Sequence, residues 1–165
     1  MSFEQFDYIA EGQMSLFDFL NQEIPVFKIR DKGFRLIEMF AGYGSQALAI
    51  DRLGVPYEHY KISEWCIPSV RLYKAAHFPD RVEESNLSKE DAIKELLRYG
   101  VSQDGKEPLT EDNLKRKSVE QLNEIIATFK TTNNLGSITN IKGGDLGIVD
   151  LHKWIYMMTY SFPCQ

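Results

Sequence analysis

Cysteine is scarce in this sequence. Cys66 and Cys164 are the two among 165 residues; they lie far apart with no third sulfur and no clustered histidine, which argues against a disulfide framework and a zinc site. No apolar run approaches the ~20 residues needed to cross a bilayer. The opening residues, MSFEQFDYIAEGQ, are acidic where a secretory signal would be basic. The expectation is a cytoplasmic chain with no membrane partner and no bound metal. A basic excess is also missing: 19 Lys and Arg against 24 Asp and Glu leave a net charge of -5. A surface that grips duplex DNA through its phosphates needs a basic patch, so these residues alone are expected to bind DNA poorly.

What is present suits a globular domain: 43% of residues are hydrophobic and 12% aromatic. Residues 1–33 read as a peripheral extension, because short apolar patches alternate with acids and amides and are interrupted by Pro25 and Gly33. The core is expected over 34–165. Phe34 to Phe40 is a compact apolar run that suits a buried parallel strand. Ser45 to Leu53 has apolar residues at helical spacing, with Gly54 as its stop and Pro56 behind it. Tyr57 to Ser63 predicts a second strand, and Pro68 to His77 a helix entered through proline. Residues 81–134 turn highly charged and read as a helical insertion, with capping boxes expected at Ser88 with Asp91 and Ser118 with Gln121. Behind those caps Ile93, Leu96 and Leu97 form one apolar stripe, and Val119, Leu122, Ile125, Ile126 and Phe129 form another, so both helices can pack. Its charge run is most simply a solvated face. Trp154 to Tyr160 predicts a last strand. The alternation points to an α/β fold, a partial doubly wound (Rossmann-like) sheet with a helical insertion.

The chemistry concentrates at the strand ends. Gly42-Tyr43-Gly44-Ser45-Gln46-Ala47 fits G-x-G-x-x-A between a strand and a helix, where bare backbone lets a nucleotide-like ligand come close. Glu64 follows the second strand, where its carboxylate can accept from both ribose hydroxyls of such a ligand, and Trp65 beside it offers a ring to an adenine. These residues leave adenosylmethionine and NAD both open. Cys66 reads as a packed residue at a helix start, and His59, His77 and His152 as structural or surface groups.

In this order FAGYGS, ISEW and SFPCQ resemble three motifs of the cytosine-5 DNA methyltransferases, over roughly residues 34 to 165. The resemblance implies an adenosylmethionine-dependent methyltransferase fold and, as cofactor, S-adenosylmethionine. Phe40, Ala41, Gly42, Gly44 and Ser45 would hold it from the first loop, with Glu64 on its ribose and Trp65 against its adenine. Pro163 and Cys164 would form the nucleophile loop, and the Cys164 thiolate would add to carbon 6 of a cytosine turned out of the duplex so that carbon 5 can accept a methyl group. The family's Gly-Asp-Ile motif has its nearest counterpart in Gly136-Ser137-Ile138, with serine in place of the acid, so Ser137 and Ile138 are expected at the adenine. Gly144-Asp145-Leu146 offers a carboxylate but reads equally as a glycine turn.

The resemblance implies a restriction–modification type of activity on DNA, with base contacts made by sequence beyond Gln165. A chain that stops at the Pro-Cys-Gln motif is expected to be the N-terminal part of such an enzyme, inactive alone, completed by a complementary C-terminal polypeptide if one exists. RNA cytosine-5 methyltransferases share these motifs, and a non-catalytic nucleotide-binding module is a further alternative. Separately, Gln13-Met14-Ser15-Leu16-Phe17 resembles the short peptide that docks bacterial DNA-processing proteins on the sliding clamp, with Gln13, Leu16 and Phe17 making the contact.

Overall fold

A computed structural model describes residues 32–160. Within them, a parallel sheet of three strands has the order β2-β1-β3, with β1 (Gly33–Met39) between β2 (Glu58–Ser63) and β3 (Trp154–Tyr160). Leu36, Ile37, Glu38 and Met39 are all buried, so β1 has no solvent face in its second half. A strand covered on both sides reads as a continuous apolar run, which is why it was legible.

Five helices join and extend this sheet. The first, α1 (Ser45–Arg52), follows the glycine turn, and α2 (Ile67–His77) opens with Pro68 in its first turn. The segment read as an insertion contains α3 (Lys89–Tyr99), α4 (Glu111–Lys115) and α5 (Val119–Thr131). Ser118 and Gln121 make the expected reciprocal capping box. Ser88 caps α3 by accepting from the Asp91 N–H, and its hydroxyl donates to the Asp91 carboxylate. The reciprocal bond of a box is therefore replaced there by a hydroxyl–carboxylate contact. A box that the sequence reading missed, Thr110 with Asn113, starts the five-residue α4.

The inner face of this charged segment is core. Ile67 and Val70 of α2 pack with Ala92, Ile93 and Leu96 of α3 and with Leu122, Ile126 and Phe129 of α5, in the largest of three apolar clusters among the described residues. The chain leaving α5 then runs beside β2: the Leu135 N–H donates to the Ile62 carbonyl at 2.8 Å, and Ile62 pairs in parallel with Asn134. The segment is thus joined to α2 through its side chains and to β2 through its backbone. On β3, by contrast, Ile155, Met157, Met158 and Tyr160 remain exposed. No helix among the described residues is long and apolar enough to cross a membrane.

Candidate ligand site at the strand ends

The turn after β1 is built in the left-handed region. Phe40 (φ 54°), Gly42 (φ 56°) and Gly44 (φ 85°) all have positive φ, and for a bulky residue such as Phe40 that conformation is costly unless its surroundings impose it. At Gly44 a Cβ would run into the rings of Tyr73 and His77, so only glycine fits. At Gly42 a Cβ would meet nothing within 4 Å. The backbone there faces open space, as a close approach by a ligand requires.

Glu64 locks this turn to the second strand. One carboxylate oxygen accepts from the Gly42 N–H at 2.9 Å, and the other accepts from the Cys66 N–H at 2.8 Å, at the N-cap of α2. Asn134 holds the same residue by its backbone: its side-chain amide donates to the Glu64 carbonyl at 2.8 Å and its side-chain oxygen accepts from the Glu64 N–H at 3.1 Å. That oxygen also accepts from the Gly136 N–H at 2.9 Å. Asn134 is almost fully buried, and no sequence signal distinguished it from other turn asparagines.

A cavity of about 400 Å³ opens at this point. Phe40 contributes from the end of β1, Glu64 and Trp65 from the end of β2, and Ser137 and Ile138 from the turn that follows Asn134. Five of the residues singled out in the sequence therefore share one cavity. Gly42 joins it through Glu64, while Ala41 is buried against Ile62 and Tyr73, where it packs the turn. Gly44 is the N-cap of α1, and Ser45, its first residue, is exposed with its hydroxyl on the Gln46 side chain. Thr139, Gly105 and Pro108 also line the cavity and were not foreseen. Asp145 accepts from the Lys142 N–H at 2.7 Å within its own turn and does not line this cavity. Pro163 and Cys164, like Gln13, Leu16 and Phe17, lie outside the described residues.

Behind the turn lies a buried polar chain. Glu38 accepts from the Tyr73 hydroxyl at 2.5 Å and from the Ala47 N–H, in the first turn of α1, at 3.2 Å. Burial pushes the Glu38 carboxyl above the usual carboxylate range, against the pull of those two bonds. His59 stands between the hydroxyls of Tyr73 and Tyr57, at 3.0 and 3.1 Å. Its burial, reinforced by the neighbouring His77, lowers its pKa to about 4. His77 bonds through its ring to the Tyr43 carbonyl and so braces the glycine turn.

The described residues form a mixed α/β protein that gathers a glycine turn, a carboxylate and an aromatic ring at the carboxyl ends of its parallel strands, where open α/β sheets offer a place for ligands. No protein-family model matches the sequence. It is 32% identical over 143 residues, 82% of the chain, to the orphan methyltransferase M.SssI of Spiroplasma monobiae. It is 31% identical over 135 residues, 79% of the chain, to the type II methyltransferase M2.ScrFI of Lactococcus lactis subsp. cremoris. The chain belongs to the DNA cytosine-5 methyltransferase family that its motifs resemble. It spans about a third of the length of these relatives, 35% in each case.

Proposed function

We propose that the cavity at the ends of β1 and β2 holds S-adenosylmethionine, and that this chain is the cofactor-binding part of a DNA cytosine-5 methyltransferase with a Rossmann-like core. The observation that carries this reading is the placing of Glu64 on the wall that also presents Trp65, Ser137 and Ile138. A carboxylate offers about four acceptor positions, so the two backbone bonds made by Glu64 leave room for two ribose hydroxyls. A volume of about 400 Å³ lies in the range of small-molecule sites. The open backbone at Gly42 gives the remainder of such a ligand a place to lie.

When bound, the cofactor supplies an activated methyl group. The chain's own residues bind and orient it: Glu64 on the ribose, Trp65 and Ile138 on the faces of the adenine, Ser137 at its polar edge, and the turn from Phe40 to Ser45 around the rest. The thiolate of Cys164 is assigned to cytosine carbon 6, with Pro163 directly before it in the sequence. Contacts to DNA, and any docking through Gln13, Leu16 and Phe17 to a sliding clamp, fall to surfaces outside those described. The 165-residue chain, matching a third of its relatives, is expected to bind cofactor without turning over DNA.

Ultraviolet photolabelling with methyl-tritiated adenosylmethionine tests this reading. Label that is displaced by adenosylhomocysteine but not by NAD, and that maps to the peptide containing Trp65, supports it. Protection by NAD instead would assign the cavity to a dinucleotide.

A further inference from the structure

We propose that the loop Ser102–Pro108, which belongs to the helical segment between the two strands, forms one wall of the cofactor's purine subsite and limits what the purine can carry at its exocyclic amino group. The inference rests on the assignment of the cavity to adenosylmethionine.

Gly105 and Pro108 line the same 400 Å³ cavity as Trp65 and Ile138. The loop reaches it by a defined path. The Ser102 N–H donates to the Trp65 carbonyl at 2.8 Å, and the Ile67 N–H donates to the Ser102 carbonyl at 2.9 Å, so the loop is paired with the backbone on both sides of Cys66. Ser102 is fully buried and organises the loop from within. Its hydroxyl donates to the Glu107 carbonyl at 2.6 Å and accepts from the Gly105 N–H at 2.9 Å. The Leu109 N–H closes the loop on the Val101 carbonyl at 2.7 Å. Pro108, a rigid apolar ring with no N–H to satisfy, is thereby held at a set position relative to Trp65.

Beyond this wall lies a second cavity of about 310 Å³. Trp65, Pro108, Ser137 and Thr139 line both, and the hydroxyls of Ser137 and Thr139 are 2.9 Å apart. Those four residues are shared by the two spaces, and in this reading they are the partition between them. A purine held against Trp65 presents its amino group toward the partition, where the paired hydroxyls can bond it and Pro108 blocks anything larger. Shortening Pro108 is expected to open the two cavities to each other.

The test is calorimetric titration of the 165-residue chain with adenosylhomocysteine and with its N6-benzyl analogue, for wild type, Pro108→Ala and Ser102→Ala. Wild type is expected to prefer the unsubstituted ligand by about tenfold or more, the discrimination a steric wall provides. Pro108 is exposed at the rim, so Pro108→Ala should fold normally, weaken adenosylhomocysteine severalfold and reverse or erase the preference. Ser102→Ala, which touches no ligand, should erode the preference by loosening the loop. Wild type that binds adenosylhomocysteine with a ratio unchanged in Pro108→Ala overturns the inference and leaves the cofactor assignment standing. So does an equal loss for both ligands, the mark of a purely structural role. Folded wild type that binds neither ligand overturns the cofactor assignment, and the inference with it.

Discussion

The carboxylate of Glu64 accepts the backbone N–H of Gly42 at 2.9 Å, tying the turn after β1 to the end of β2. This bond makes one site of two motifs that are separate in sequence. On the proposed reading Glu64 would serve the turn and the ligand together, so its removal should disturb both.

Asn134 is the second tie. Replacing it with alanine leaves the Glu64 N–H and carbonyl and the Gly136 N–H without their buried partner, and should destabilise the protein by about 2–4 kcal/mol. Urea unfolding checks the loss of stability. Calorimetry should show adenosylhomocysteine binding weakened as well, although Asn134 does not line the cavity.

Phe129→Ala tests whether the helical segment is structural. Phe129 is fully buried against Tyr99 at the centre of the largest apolar cluster, and its truncation should cost about 3–5 kcal/mol. A loss below about 1 kcal/mol, within the range of surface changes, would show the segment to be dispensable to the core.

Arg35 lies 3.7 Å above the Trp154 ring and 4.4 Å above that of Tyr60, and its guanidinium meets Glu58 at 2.8 Å. It thus links all three strands on one face of the sheet. Arg35→Ala should destabilise by about 1–3 kcal/mol through lost ring contacts and stem packing more than through the ion pair. Arg35→Lys, which keeps the charge without the plane, should recover part of this in the same unfolding experiment.

Acid should weaken the fold through His59. Its pKa falls from an unfolded value near 6.5 to about 4 in the folded protein, so the unfolded chain binds the extra proton between those values. The contribution is complete above pH 6.5 and is lost as pH falls toward 4. Allowing for partial exposure, it should amount to on the order of 1–2 kcal/mol. The raised Glu38 carboxyl acts in the opposite sense, favouring the folded state at low pH and ceasing to do so as pH rises through its folded value. Stability measured against pH should therefore lose the rise that His59 supplies between pH 4 and 6.5 in His59→Gln, and a profile unchanged by that substitution would contradict the assignment.

Much of this was legible because local signals and burial agree. The apolar run of β1, the Pro68 entry to α2, the Gly54 stop and the Ser118 box each act within a few residues, and the structure has each where the pattern puts it. The sequence reading placed Glu64, Trp65, Ser137 and Ile138 on the site from their motifs, and the cavity brings these four together. What was missed depends on long-range pairing. Asn134 resembles any polar residue after a helix until it meets Glu64, seventy residues earlier. Pro108 looks like a loop proline until Ser102 pairs with Trp65. The apolar stripes of the charged helices were legible from their spacing, whereas their packing partner, α2, shows only in the fold.

The most direct test of the cofactor site is calorimetric titration of the purified chain with adenosylhomocysteine, run in parallel on Glu64→Ala with folding checked by circular dichroism, and repeated with NAD as competitor. The account predicts saturable binding by wild type, indifference to NAD, and a loss of roughly thirtyfold or more in Glu64→Ala, the scale of hydrogen bonds to a charged group. Folded wild-type chain that does not bind, or Glu64→Ala that binds as wild type does, would contradict it.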